Sequence, residues 1–260
     1  MFQADGATLA YEVTGPDPGP LFVQMHGLTS SAQREHRAGL DVTGQLHGFK
    51  VLRYDARGHG SSTGRAVPED YIWPRLADDL LALLEALAPG QSVHTGGPSM
   101  SAATQLYAAL KAPELFCSLT LLVPPTGWEV RRAQAEHYER SAALVENDGI
   151  GAFIRVGDSV LPPPALADRA REPAPAVSQE LLPSVFRGAA LTDLPPKEQL
   201  ARLEVPVQIL AWADDHAHPV STAEQLQRLI PDAQLAIAET PEDLGRWPDR
   251  VAKFVQHSRA

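Results

Sequence analysis

The chain has 260 residues, 44% of them hydrophobic and 21% charged, which suits one large α/β domain with an inserted segment better than two unrelated domains. Its net charge of −10 argues against a nucleic-acid or anionic-membrane partner, because neutralising phosphates takes clustered Lys and Arg. A single cysteine, Cys117, excludes an intrachain disulfide, and no apolar run approaches the roughly 20 residues that span a bilayer.

Leu21-Phe22-Val23-Gln24-Met25 reads as a buried strand that runs into His26-Gly27-Leu28-Thr29-Ser30-Ser31. Phe49 to Asp55 is a second strand, followed by the turn Ala56-Arg57-Gly58-His59-Gly60-Ser61-Ser62. Leu76, Leu80, Leu83, Leu84 and Leu87 recur at helical spacing, and that helix stops at Pro89-Gly90. Gln91 to Thr95 is a short β-like run. It leads through Gly97-Pro98-Ser99-Met100-Ser101 into a helical run from Ala102 to Leu110. A serine on a sharp strand-to-helix turn has its hydroxyl lifted clear of the sheet, and the N–H of the next residue, Met100, is aimed at the same space. Ser101 stands where the G-x-S-x-G pattern has glycine; a glycine there is expected to be tolerated.

The apolar run Phe116 to Val123 is a further strand, with Cys117 expected as a buried structural thiol. Pro124-Pro125 then breaks the alternation. A helical run from Trp128 to Val145 and a proline-rich piece (Pro162-Pro163-Pro164, Pro173, Pro175) follow, and strand character returns only at Val205 to Trp212. This alternation predicts a mostly parallel central sheet covered by helices on both faces. The strand ending at Trp212 runs into Ala213-Asp214-Asp215-His216-Ala217-His218-Pro219, and Ala233 to Ala238 is the last strand. Glu239-Thr240-Pro241-Glu242-Asp243-Leu244-Gly245-Arg246 precedes a final helix starting near Trp247-Pro248.

The order of strand, His-Gly turn, strand, D-x-R-G-H-G-S turn and serine elbow resembles the α/β-hydrolase superfamily over nearly the whole chain. The resemblance implies a core of residues 1–125 and 196–260, with residues 126–195 as a helical lid that sets substrate size and shape. It implies a nucleophile, Ser99, and oxyanion donors at Leu28 and Met100, with His26 and Gly27 shaping that turn. It implies an acid on the turn after Trp212, where a carboxylate four residues before proline selects Asp215 over Asp214. The base is expected after the last strand, and no histidine stands there. His257 is near the C-terminus on an exposed helical position. His218, three residues past Asp215, is the better base: an imidazole suits the work, whereas the carboxylates of Glu239, Glu242 and Asp243 are poor bases. The competing reading has His218 capping the turn before Pro219. His26 and His59 are expected to be structural, and His216-x-His218 is too weak a pattern for zinc.

Two functions follow as expectations. The first is a serine hydrolase of small carboxylic esters or lactones, working through an acyl-enzyme on Ser99 without metal or organic cofactor. A serine at the elbow argues against dehalogenase or epoxide-hydrolase chemistry, which resembled proteins run from an aspartate. The second is a non-catalytic relative that keeps the pocket as a ligand-binding or scaffolding module, favoured by the missing histidine and by Ser101 in place of glycine. The expected partner is a small-molecule substrate, and homo-oligomerisation is left open. Met1 to Ala10 lacks the basic flank and apolar core of a signal peptide, which leads to the expectation of a cytoplasmic protein.

Overall fold

The strands expected from the apolar runs are present in the computed structural model, which describes residues 1–169, 172 and 174–258, and three short ones before Leu21 join them. The strands are β1 (Phe2–Ala4), β2 (Ala7–Leu9), β3 (Tyr11–Thr14), β4 (Leu21–Gln24), β5 (Lys50–Tyr54), β6 (Val93–Pro98), β7 (Phe116–Leu122), β8 (Val207–Trp212) and β9 (Gln234–Ala238). The helices are α1 (Ala32–Ala38), α2 (Trp73–Leu87), α3 (Met100–Lys111), α4 (Arg131–Asp148), α5 (Ile150–Asp158), α6 (Leu182–Ala190), α7 (Lys197–Leu200), α8 (Val220–Leu229), α9 (Pro241–Gly245) and α10 (Trp247–His257).

A seven-stranded sheet has the order β3-β5-β4-β6-β7-β8-β9. Its edge strand β3 runs antiparallel to β5, and the remaining pairs are parallel. The strands β4, β6 and β8 are buried along their whole length, as strands must be when helices cover both faces. Successive side chains divide between those faces. Leu21, Val23, Leu119, Leu121 and Ile209 join a core with Leu76, Leu80 and Leu83 of α2 and Leu106 of α3. Phe22, Leu122, Leu210 and Trp212 face the other way, onto Trp247, Val251, Phe254 and Val255 of α10. The period of 2 in the strands and of 3.6 in the helices therefore meet in two sealed layers.

Three details differ from the sequence expectations. The strand before the serine starts at Val93 and continues through Pro98, so it delivers the serine directly. The run from Trp128 opens with a 3₁₀ turn (Trp128–Val130) before α4 begins at Arg131. Cys117 is half-buried rather than buried, and it sits at the irregularity near the start of β7 where the pairing with β6 skips from Phe116 to Ser118.

Between β7 and β8 the chain leaves the sheet and forms α4 to α6 around a third apolar cluster of Ala142, Val145, Val177, Leu182, Val185 and Phe186. Pro173, part of the proline-rich piece, lies outside the described residues. The root of this excursion is pinned. The Asp193 carboxylate accepts the N–H of Trp128 at 2.9 Å, and Tyr107 of α3 donates to the Asp193 carbonyl at 3.0 Å. The buried Arg131 guanidinium donates to the carbonyls of Thr192 and Ala189 and lies 4.3 Å over the Trp73 ring.

Candidate active site

Parallel pairing sets the ends of β6, β7 and β8 side by side, with Pro98 opposite Leu122 and Leu122 opposite Leu210. The carboxyl ends of such strands are where open α/β sheets collect their functional groups. Ser99 occupies the turn between β6 and α3 with φ 54° and ψ −109°. A side chain rarely adopts that region, at a cost of about 1–3 kcal/mol, so the surrounding structure must hold it there. Part of the hold is the Ser99 N–H, which donates to the Leu122 carbonyl at 3.0 Å. Part is close packing: a Cβ on Gly97 would lie 2.8 Å from Ser101 Cβ and 2.9 Å from Met25 Cβ, so only glycine fits beneath the turn. The Ser101 hydroxyl, the departure from the glycine pattern, donates to the His26 carbonyl and ties the elbow to the neighbouring loop.

The turn after β8 faces this serine. His218 Nε2 lies 2.8 Å from Ser99 Oγ, and His218 Nδ1 lies 2.8 Å from Asp215 Oδ2. A carboxylate accepts, so Nδ1 carries the ring proton and Nε2 offers its lone pair to the serine hydroxyl. Asp215 accepts two further bonds, from Trp212 Nε1–H and from the Ala217 N–H, each at 2.8 Å. Burial alone would raise the Asp215 pKa. The bonds from His218, Trp212 and Ala217 outweigh it and hold the carboxyl well below the usual carboxylate range. Trp212 meets His218 edge-on, with ring centroids 6.0 Å apart, and stacks on Trp247. The His218 side chain keeps 19% of its surface exposed. Asp214, the neighbouring carboxylate, is exposed.

The loop after β4 supplies the facing wall. His26 is buried; its Nδ1–H donates to the Gly27 carbonyl and its Nε2 accepts the Ala56 N–H, both at 2.8 Å. Both ring nitrogens are thereby committed, and the ring braces the loop rather than facing the serine. The Gly27 N–H is also taken, by Glu35 Oε1 at 2.9 Å. The N–H groups of Leu28 and Met100, by contrast, have no acceptor among the described residues. His59 is buried beside His26, with ring centroids 5.1 Å apart, and donates to the Arg57 carbonyl at 2.8 Å. Arg57 itself pairs with Asp79 at 2.6 Å, which makes its loop architectural. The other candidate bases are elsewhere. Asp243 closes a capping box with Thr240 at the start of α9, Glu242 pairs with Arg246, and Glu239 and His257 are exposed.

The helical excursion reaches this site. Leu28 packs with Tyr138, Ile150 and Phe153 against the third cluster, where Tyr138 stacks on Phe186 with centroids 6.1 Å apart. The Ala176 N–H donates to the Thr29 carbonyl at 2.7 Å, and the Thr126 N–H to the Ala217 carbonyl at 3.2 Å. Both wall loops are thus bonded to the 126–195 segment. Among the described residues no group of three or more His, Cys, Asp or Glu side chains could hold a metal ion. Sequence reasoning missed Glu35 and Trp212. Trp212 looks like any strand residue, and Glu35 sits among polar neighbours on a short helix that reads as solvated.

A family model described as alpha/beta hydrolase fold matches residues 20–143. The chain is 28% identical over 196 residues to 3-oxoadipate enol-lactonase 2 of Acinetobacter baylyi, across 74% of this chain and 71% of that protein. A crystal structure of a hydrolase from Pseudomonas aeruginosa PA01 aligns at a TM-score of 0.80 and 28% identity, covering 99% of this chain and 96% of that one. The enol-lactonase from Burkholderia xenovorans LB400 has the same fold, with a TM-score of 0.77 at 22% identity over 98% of this chain and 97% of that one.

Proposed function

The chain belongs to the α/β-hydrolase superfamily, and from that premise we propose that it is a serine hydrolase of small carboxylic esters or lactones. The observation that carries this reading is the relay from Ser99 Oγ to His218 to Asp215, two hydrogen bonds of 2.8 Å each. A serine hydroxyl is a weak nucleophile until a neighbour takes its proton, and His218 Nε2 is within reach to do so. Asp215 fixes the tautomer and stabilises the imidazolium that forms. Its lowered pKa keeps it anionic for that task.

In this mechanism Ser99 Oγ attacks the carbonyl carbon while its proton passes to His218 Nε2. The Leu28 and Met100 N–H groups receive the developing oxyanion, and collapse of the intermediate expels the alkoxide, which takes the proton from His218. Water then gives a proton to His218 as it attacks the acyl-enzyme, and collapse of the second intermediate releases the acid and Ser99 Oγ, which takes that proton back from His218. A lactone keeps its alcohol and acid in one product. The segment 126–195 acts as the lid. Leu28, Tyr138 and Phe153 pack against the same apolar cluster, which supports an apolar group of the substrate beside the reacting carbonyl.

Two observations support the hydrolase reading over the binding-module one. The latter rested on the empty place after the last strand and on Ser101, but His218 reaches Ser99 from another turn, and the Ser101 hydroxyl has a partner. The test is hydrolysis of short p-nitrophenyl esters together with fluorophosphonate labelling read by intact mass. Ser99→Ala is expected to abolish both with the fold intact, and His218→Gln to lower turnover by about 10²-fold or more. Full turnover in Ser99→Ala would overturn the assignment. Near-wild-type turnover in His218→Gln would remove the base from this mechanism.

A further inference from the structure

Glu35 is a buried carboxylic acid bonded to the oxyanion loop, and the mechanism above gives it no task. It lies on α1, only 3% exposed, and among the described residues it has no ion-pair partner. Burying such a group is costly unless it is hydrogen-bonded. Burial pushes its pKa up, against the opposing effects of the Gly27 N–H, His26, Ser30 and Arg34. The Arg34 guanidinium is itself committed to the carbonyls of Glu172 and Ala174. The buried carboxyl holds the oxyanion loop, through the Gly27 N–H at 2.9 Å and a side-chain hydrogen bond from Ser30.

The peptide planes on either side of Gly27 explain why that matters. The plane before Gly27 presents its N–H to Glu35. The plane after it presents the Gly27 carbonyl to His26 Nδ1–H at 2.8 Å and to the Ser30 N–H at 3.2 Å. A trans peptide is planar, so the N–H of Leu28 points opposite to that anchored carbonyl, away from both donors. Glycine between the planes imposes no torsional preference of its own, so their orientation depends on what each is bonded to. Without Glu35 the first plane is held only through the His26 carbonyl, by the Ser101 hydroxyl, which loosens the torsions at Gly27 that aim the Leu28 N–H.

We propose that Glu35 is a positioning residue for the hydrolytic site, orienting the oxyanion donor of Leu28 by holding the Gly27 N–H. The proposal rests on the serine-hydrolase reading. Loss of an oxyanion donor costs about 10²–10³-fold in kcat, which bounds the effect of mis-aiming one. Three variants separate the possibilities. Glu35→Met keeps the length and removes the acceptor. Glu35→Gln keeps an acceptor oxygen. Glu35→Asp withdraws the carboxylate by one methylene and provides a second probe should Glu35→Met fail to fold.

With a p-nitrophenyl ester, Glu35→Met is expected to lower kcat by about 10²-fold with KM within about two-fold of wild type. Glu35→Asp should fall between it and wild type, and Glu35→Gln should keep kcat within a few-fold. Affinity for a trifluoromethyl ketone, whose serine adduct carries the oxyanion, should fall in parallel with kcat across the series. Unchanged kcat in Glu35→Met or Glu35→Asp, or a Glu35→Gln as impaired as Glu35→Met, overturns the proposal while wild type remains active. A wild type inert to ester and fluorophosphonate alike would instead sink the serine-hydrolase reading, and this proposal with it.

Discussion

Acidification tests the buried histidine pair behind the site. His59 is 1% exposed, its Nδ1–H is spent on the Arg57 carbonyl, and its Nε2 has no partner among the described residues. A second proton would sit on Nε2, out of water and beside the His26 ring. Burial, and then the His26 neighbour, push the pKa down to about 3, with the Arg57 carbonyl opposing. The sign follows from linkage: an unfolded histidine takes a proton near pH 6.5, whereas the folded one resists until about pH 3. Stability is therefore fully present above about pH 6.5 and is lost as pH falls towards 3. At about 1.36 kcal/mol per unit, the total is about 5 kcal/mol, and about 2.7 kcal/mol falls between pH 6.5 and 4.5.

Carboxylates contribute outside that window or with another sign. The lowered Asp41, Asp70 and Asp215 add the same trend only once their unfolded forms begin to protonate, near pH 4, and Glu35 with its raised pKa acts in the opposite direction. His59→Asn isolates the histidine, because an asparagine amide can still donate to the Arg57 carbonyl but does not titrate. Urea unfolding at pH 6.5, 5.5 and 4.5 should show the wild-type advantage over His59→Asn shrinking by about 2–3 kcal/mol across the range. A constant difference at all three values would refute the reasoning.

Substitutions at two positions probe the elbow. Ser101→Ala removes the donor to the His26 carbonyl and should cost about 1–3 kcal/mol in urea unfolding, and Ser101→Gly should cost at least as much. Equal stability of the alanine variant would mean that water replaces the hydroxyl without loss. Gly97→Ala places a methyl group 2.8 Å and 2.9 Å from two Cβ atoms fixed to the backbone, so about 1–3 kcal/mol of destabilisation is expected, with lowered activity. A thermal midpoint within one or two degrees of wild type would show that the turn can widen.

What could be read from the sequence was what hydrophobic burial and turn sterics write locally. Continuous apolar runs gave β4, β7 and β8, since strands covered on both faces need nothing else, and leucines at helical spacing gave α2. The elbow and the Asp215–His218 turn were legible because each is contained in a few consecutive residues. The hairpin of β1 and β2 and the edge strand β3 were not: they are three or four residues long and mostly half-exposed, and they leave no periodic trace. Glu35 was hidden for the opposite reason. Its partner, Gly27, is a backbone group, which has no letter in the sequence. Ser101 misled, because its pattern asks for glycine while the actual turn uses a hydroxyl to reach His26.

Placing Asp215 and His218 three residues apart on one turn has a mechanical consequence. Elsewhere in this arrangement the two would ride on separate loops, and any drift between strands would stretch their bond. Here the Ala217 N–H and Trp212 bind the carboxylate to its own turn, and the pair travels as one body. Motion at this edge of the sheet leaves a single variable, the gap between the imidazole and Ser99. The Thr126 N–H, at the root of the helical segment, holds the Ala217 carbonyl of the same turn. A load on that root therefore reaches the imidazole and its carboxylate together, through the backbone of one turn.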